Sequence, residues 1–97
     1  MTTPTPTLSQ RLAAHPRFRW DASMRTARGL YGWFRPGDSP DLADPATTGI
    51  LLSWLPEATV ILSYGCDPIV EAGGTTYSGD TLGEAVAEAL LAQWGES

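Results

Sequence analysis

The sequence predicts an α+β fold: a small antiparallel or mixed sheet, made of a hairpin plus two or three strands, with about three short helices packed on it. Several segments open with helix-capping residues and continue with apolar residues at helical spacing. Short β-branched runs separated by glycines lie before the last of these segments. No strand–helix–strand unit is clear enough to demand a parallel sheet.

The length predicts a single domain. A chain of 97 residues, of which 42% are hydrophobic, can bury one modest core without disulfides or metals. We expect this domain to span residues 8–97. The Thr/Pro-rich residues 1–7 are predicted to form a flexible lead-in.

The first helix is predicted over residues 8–14. Thr7 and Gln10 have the spacing of a capping box, in which each side chain accepts the other residue's backbone N–H. Pro16 ends this helix, because the residue before a proline is driven out of helical geometry.

Alternating charged and aromatic side chains follow the first helix. Residues 17–20 read Arg-Phe-Arg-Trp, and this period of two predicts a half-buried extended segment. A hairpin is predicted over residues 24–35, with its turn near Gly29.

The second helix has the clearest start in the chain. Asp44 is predicted as its N-cap and Pro45 as its first residue, and Pro56 ends it. Gly49 inside this helix costs about 1 kcal/mol relative to alanine, so we expect another backbone to pack closely against it. The predicted apolar stripe consists of Ala46, Ile50, Leu51, Trp54 and Leu55.

Two or three strands are predicted between the second and last helices. Residues 58–63 are β-branched and apolar, which is typical of a central strand. Residues 69–72 are predicted as the second strand, and Gly73-Gly74 turns the chain into residues 75–78, which are either a third strand or an approach to the last helix.

The last helix is predicted over residues 82–94. Thr81 and Glu84 repeat the capping-box spacing, and Gly95 suits the position after the helix end. The apolar side chains that recur every four residues are Leu82, Val86, Leu90 and Trp94. Glu84 and Glu88 are expected on the solvent face.

The residue types that carry catalysis are scarce. The chain has one histidine and one cysteine, and neither a G-x-S-x-G nucleophile motif nor a G-x-G-x-x-G phosphate loop. We interpret His15 as a surface residue at a helix end. Cys66 is interpreted as a small, partly buried filler, with an exposed thiol as the alternative. The sequence therefore predicts a non-enzymatic protein without a cofactor or metal.

The cysteine count and hydropathy also bear on location. A single cysteine cannot form an internal disulfide, and no run approaches the roughly 18 apolar residues of a membrane span. The first residues lack the basic and apolar regions of a signal peptide. We therefore expect a cytoplasmic protein that does not enter a membrane.

Charge is segregated along the chain. All six basic residues are arginines within the first 35 positions, and ten of the eleven acids follow, for a net charge of −5. The later acids predict an acidic face for a basic protein partner. Two alternatives are that the acids act locally as helix caps, or that they pair with the arginines within the domain. The candidate face consists of Asp38, Asp41, Glu71, Asp80, Glu84 and Glu88.

Two other surfaces are candidates for binding. Arg17, Arg19 and Trp20 interleave charge with stacking surface, as single-strand nucleic-acid binders do, but the net charge opposes a polyanionic partner. The alternative is that these arginines are solvated. Trp33 is the candidate for an exposed aromatic at a self-association surface, a role that the sheet edge at 58–72 could also fill. Both a monomer and a homodimer remain open.

Part of the chain resembles small proteins of unknown function encoded in bacteriophage and prophage regions. The resemblance lies in the run from His15 to Trp20, in Met24, in residues 40–47 and 49–52, and in the Thr-capped, alanine-rich last helix. It brings no activity and no functional residues, but it implies an origin in a mobile element.

We therefore expect a phage-derived binding protein in the host cytoplasm. The leading hypothesis is an anti-defence inhibitor of the anti-CRISPR type that places its acidic face on a basic nucleic-acid-handling protein. The alternatives are an assembly protein that acts through self-association and a small nucleic-acid-binding accessory protein.

Overall fold

Three helices and a three-stranded antiparallel sheet make up the fold, which confirms the predicted α+β class. The computed structural model describes residues 7–31, 34–35, 37–55 and 57–95. The elements in chain order are α1 (Leu8–Ala14), α2 (Pro45–Ser53), β1 (Thr59–Ile61), β2 (Ile69–Ala72), β3 (Thr75–Ser78) and α3 (Leu82–Gln93).

The sheet has the order β1-β2-β3, with Val60 opposite Val70 and Val70 opposite Tyr77. The prediction that the 58–63 segment is the central strand is therefore wrong. The Gly73-Gly74 turn, with φ of 60° and 80°, places β3 beside β2, and the preceding connection, residues 62–68, places β1 on the other side of β2. As a result β2 is central and β1 is an edge strand.

Helix α3 is the centre of the packing. It contacts β2 and β3 on one side and both other helices, while α1 and α2 contact α3 and not the described strands. The prediction that all helices pack on the sheet holds for α3 alone. Seven of its residues are buried: Gly83, Ala85, Val86, Ala87, Ala89, Leu90 and Leu91. Small side chains on several sides of the helix allow neighbours to approach it closely.

The closest approach occurs at Gly83. A Cβ added there would lie 1.9 Å from the backbone carbonyl oxygen of Leu42, which also accepts a 3.0 Å hydrogen bond from the Thr81 hydroxyl. Gly49, by contrast, is exposed and has nothing within 4 Å of such a Cβ. The expectation of a backbone packed against Gly49 is wrong, because α2 turns this residue to solvent.

The helix caps follow the sequence closely. The Thr7–Gln10 capping box is present, and Asp44 accepts the backbone N–H of Thr47. At α3 the Thr81 hydroxyl accepts the N–H of Glu84, but the Glu84 carboxylate accepts the N–H of the residue before Thr81. The first hydrogen bond of the predicted capping box is therefore present, and the second is replaced by the bond from the Asp80 N–H to the Glu84 carboxylate.

The buried side of α2 differs from the predicted stripe. Leu51 and Leu55 are buried as expected, but Ala46 is exposed, and Thr47 and Thr48 are buried in its place. The reason is that the Thr47 hydroxyl accepts the backbone N–H of Arg25, which draws this side of the helix start inward.

The segment between α1 and α2 is held by isolated bridges. Arg25 pairs with Tyr31 around the turn at Gly29, and Thr26 pairs with Pro40. These pairs form the predicted turn but do not extend into strands of the sheet. The backbone between Tyr31 and Phe34 lies outside the described residues, and with it Trp33.

Candidate functional site

Six aromatic rings form a continuous series on one part of the surface, and we call them the aromatic run. Each ring belongs to a half-buried residue. The ring centroids are separated by 4.8 Å for His15–Trp94, 6.2 Å for Trp94–Trp54, 5.7 Å for Trp54–Phe18, 5.1 Å for Phe18–Trp20 and 4.3 Å for Trp20–Phe34.

The aromatic run stands where three helices end. His15, Trp54 and Trp94 are the C-cap residues of α1, α2 and α3. Because α1 and α2 both pack on α3, their ends bring these three rings into one series although they are far apart in sequence. Phe18 joins this group to Trp20 through the chain that leaves α1.

An open groove of about 400 Å³ lies over this convergence. Its lining residues are Pro16, Arg17, Arg19, Trp54 and Trp94, and we call it the arginine–tryptophan groove. This volume falls within the roughly 300–1,000 Å³ that ligand sites occupy in proteins.

The two arginines of the groove differ from three others in the chain. Arg17 and Arg19 are exposed and form no ion pair within the described residues. Three ion pairs occupy other arginines: Arg11–Glu88 at 3.7 Å, Arg25–Asp41 at 3.5 Å and Arg28–Asp38 at 2.8 Å. The alternation of burial along residues 17–20 is as predicted, since the aromatic side chains are half-buried between the exposed arginines. The prediction that the whole segment is extended is wrong, because the Phe18 N–H donates to the His15 carbonyl oxygen at 3.0 Å and places Arg17 in a turn.

A polar cluster around Asp38 holds the loop that precedes α2. The Arg28 guanidinium donates two hydrogen bonds of 2.8 Å to the Asp38 carboxylate, which also accepts the backbone N–H of Arg35. These donors lower the pKa of Asp38 from 3.8 to about 2, the Arg28 hydrogen bond being the larger cause. The same pair raises the pKa of Arg28.

Asp44 anchors the hairpin to the start of α2. Its carboxylate accepts the N–H and hydroxyl of Thr47 at 2.9 Å and the Tyr31 hydroxyl at 2.8 Å. The backbone bond from Thr47 lowers the pKa of Asp44, and the bond to Asp44 raises the pKa of Tyr31. Every oxygen of this carboxylate is engaged within the fold, so its role is structural.

The six predicted acidic residues do not form one uniform face. Asp41 and Glu84 line the same depression between the starts of α1 and α3, with Asp80 bonded through its backbone to Glu84. Glu71 alternates with the buried Val70 and therefore lies on the other face of the sheet from α3. Ion pairs hold the remaining members, Asp38 and Glu88, as well as Asp41.

Other predicted residues have clear positions. Cys66 is exposed in the β1–β2 connection, so its interpretation as a buried filler is wrong. His15 packs its ring on Trp94 instead of standing free at the surface. In the same β1–β2 connection the large side chains of Leu62 and Tyr64 are exposed, beside the edge strand β1.

The sequence did not indicate that Trp54 and Trp94 line the arginine–tryptophan groove. It assigned both to apolar helix stripes, yet each stands at a C-cap and is only half-buried. A large aromatic residue at the end of a predicted helix, just before a helix-ending proline or glycine, is the signal that could have indicated them. Trp20, predicted with the arginines, stacks on Phe34 and does not line the groove.

Metal and membrane features were sought across the part of the chain that the structure describes. These residues contain no group of three or more His, Cys, Asp or Glu side chains that could hold a metal ion. None of the described helices is long and apolar enough to cross a membrane. Comparison with protein-family models, curated proteins and solved structures finds no match for the chain.

Proposed function

We propose that the protein is a non-enzymatic binding domain that contacts a protein partner through the arginine–tryptophan groove. One observation carries this proposal: Arg17 and Arg19 border two half-buried tryptophans and have no ion-pair partner among the described residues. Tryptophan and arginine are the side chains most enriched among residues that dominate binding energy at interfaces.

The shifted ionisable groups support a non-enzymatic role. Asp38, Asp44, Arg28 and Tyr31 all have perturbed pKa values, and each is explained by hydrogen bonds within the fold. Those between Arg28 and Asp38 join the hairpin turn to the loop, and those to Asp44 hold the hairpin at the start of α2. Perturbed groups in an active site normally converge on an open cleft. In this protein the perturbed groups form hydrogen bonds to one another instead.

Differential capture tests the proposal. The immobilised wild-type protein and the double variant Arg17→Gln/Arg19→Gln are exposed to cell extract, and retained proteins are quantified by mass spectrometry. We expect at least one protein to be retained by the wild type and lost from the double variant. Both arginines are exposed, so the variant should keep the wild-type circular dichroism spectrum and melting temperature.

Arg28→Gln is the matched control. It removes one unit of positive charge outside the groove, at the ion pair between Arg28 and Asp38. The partner should remain bound to this variant. Retention that is equal for all three proteins would mean that the groove is not the contact surface.

A second candidate function is the phage-derived anti-defence inhibitor that binds a basic nucleic-acid-handling protein through carboxylates. It is favoured by residues 57–95, which hold six acids and no cation, and of these acids Glu88 alone has an arginine partner among the described residues. Charge reversal at Asp38 or Asp41 would break structural ion pairs, so Glu71→Lys/Asp80→Lys is the better test. Salt-sensitive retention of a basic protein should then disappear, and unchanged retention rules this candidate out.

A further inference from the structure

We propose that strand β1 pairs edge to edge with β1 of a second copy of this chain, which gives a symmetric dimer. This surface lies apart from the arginine–tryptophan groove and goes beyond the function proposed above. Among the described elements, β1 contacts β2 alone and pairs with it along one edge. The other edge of β1 therefore presents backbone N–H and carbonyl groups that a further strand can satisfy.

Strand β1 lacks the devices that usually protect the edge of a sheet. Natural edge strands are blocked by charged side chains, by prolines, by bulges or by a covering helix or loop. Neither a charged residue nor a proline occurs from Ala58 to Cys66. The pairing of β1 with β2 runs without a bulge from Thr59 to Ile61, and no described helix contacts β1. This edge is therefore open to a further strand.

Exposed apolar side chains are concentrated beside this edge. Five large hydrophobic side chains are exposed among the described residues, and three of them are Ile61, Leu62 and Tyr64. Leu62 is 68% exposed, and Tyr64 is fully exposed. The edge at β3 differs, because its exposed residues are threonines and a serine. Since exposed apolar patches mark interaction sites, β1 is the edge that we expect to be covered.

The charge distribution favours a second copy as the partner. Two copies of a chain with a net charge of −5 repel each other wherever their acids meet. Residues 58–66 form a neutral stretch between Glu57 and Asp67. In an antiparallel pair centred on Val60, Glu57 lies opposite Ser63 of the second copy, so no two acids face each other. A basic partner gains nothing from a neutral edge, whereas a second copy of an acidic chain needs one.

The strand is also complementary to itself. Thr59, Val60 and Ile61 are all β-branched, and such side chains pack well against neighbours on a pleated sheet. A two-fold axis at Val60 sets Thr59 opposite Ile61 of the second copy and the small Ala58 opposite the large Leu62. The two sheets then join into one antiparallel sheet of six strands, in the order β3-β2-β1-β1-β2-β3.

The small size of this contact makes the dimer weak. Residues 58–64 supply seven positions from each copy, whereas standard interfaces use about 20–30 residues a side. The dimer is therefore transient and depends on a high protein concentration.

Sedimentation velocity tests the proposal on the full chain, between about 10 μM and 1 mM, the range in which a weak dimer dissociates. A reducing agent is present throughout, because the exposed Cys66 could otherwise link two chains through a disulfide. We expect the weight-average sedimentation coefficient to rise from the monomer value towards the dimer value. Amide exchange within β1 should become slower over the same concentration range.

Two leucine variants locate the contact. Leu62→Glu removes an apolar side chain and adds a carboxylate in both copies, so it should raise the dimer Kd by about tenfold or more. Leu30→Glu is the matched control, because it makes the same change at another exposed leucine, in the hairpin outside the sheet. It should leave the Kd within about twofold at physiological salt, where distant charges are screened. Both side chains are exposed, so both variants should keep the wild-type circular dichroism spectrum.

Each contrary outcome overturns the proposal. A chain that remains monomeric at the highest concentration has no second copy on this edge. If it is monomeric and retains another protein from cell extract only while Leu62 is present, the edge belongs to a different partner. A dimer that Leu62→Glu weakens no more than Leu30→Glu is formed by another surface. None of these results bears on the groove, and Arg17→Gln/Arg19→Gln should dimerise like the wild type.

Discussion

Replacing Gly83 with alanine should strongly destabilise the fold. The added Cβ would stand 1.9 Å from the Leu42 carbonyl oxygen, 2.7 Å from the Leu42 carbonyl carbon and 2.8 Å from the Thr48 hydroxyl. Ordinary contact begins at 3.4 Å, so the α3 start and the Leu42 backbone must separate by about 1.5 Å. The Leu42 carbonyl group belongs to the main chain, so it cannot rotate away from the added Cβ as a side chain could.

The magnitude follows from three contributions. Overpacking against backbone costs about 3 kcal/mol, the upper end of its usual range. Separation also breaks the hydrogen bond from Thr81 to Leu42, which is worth about 1 kcal/mol, while alanine gains about 1 kcal/mol in helix propensity. The net loss of unfolding free energy is about 3 kcal/mol, which lowers the melting temperature by about 12–24 °C.

Gly49→Ala is the matched control. It makes the same substitution in a helix at a position where nothing lies within 4 Å, so only the propensity gain of about 1 kcal/mol remains. Thermal unfolding followed by circular dichroism should show a rise of about 4–8 °C for this variant. If Gly83→Ala melts at or above the wild-type temperature, the packing of α3 against Leu42 is not as described.

Two further predictions concern the polar cluster at α2. Asp44→Ala removes the N-cap and the acceptor of the Tyr31 hydroxyl, so the unfolding free energy measured in urea should fall by about 1–2 kcal/mol; Asp67→Ala, at an exposed acid outside the cluster, should change it little. The pKa values of Asp38 and Asp44 are both lowered in the fold, so both carboxylates contribute stability that is present above pH 4 and is lost as they are protonated at lower pH. For Asp38, whose pKa is about 2, this loss falls between about pH 4 and pH 2. Melting temperatures measured between pH 6 and 2 should decline across that window, and Asp38→Asn should flatten the decline; an identical pH profile for this variant would contradict the assignment.

The helices could be predicted because their signals are local. Thr7 with Gln10, Asp44 with Pro45, and Thr81 each satisfy backbone groups within one turn, so their effect does not depend on the rest of the fold. The turn between β2 and β3 is equally local. These elements have nearly the predicted bounds for that reason.

The remaining features depend on contacts between distant segments. Gly49 and Gly83 are both helical glycines in the sequence, and only the position of the Leu42 backbone shows that the second is the close approach. The pairing of arginines with acids was one of the alternatives that the sequence left open, because no local pattern brings Arg28 to Asp38 or Arg11 to Glu88. The groove also depends on contacts between distant segments, since Trp54 and Trp94 come together only when the three helices pack.

The contact between His15 and Trp94 joins residues 79 positions apart, so the groove lies where the ends of the first and last helices meet. A ligand that spans Arg17 and Trp94 therefore closes a long loop of chain as well as covering a surface. Binding of such a ligand to the folded state alone raises the free energy of unfolding, by about 2.7 kcal/mol at a ligand concentration 100 times the Kd. Binding at the proposed site should therefore slow amide exchange in the last turn of α3, which carries Trp94.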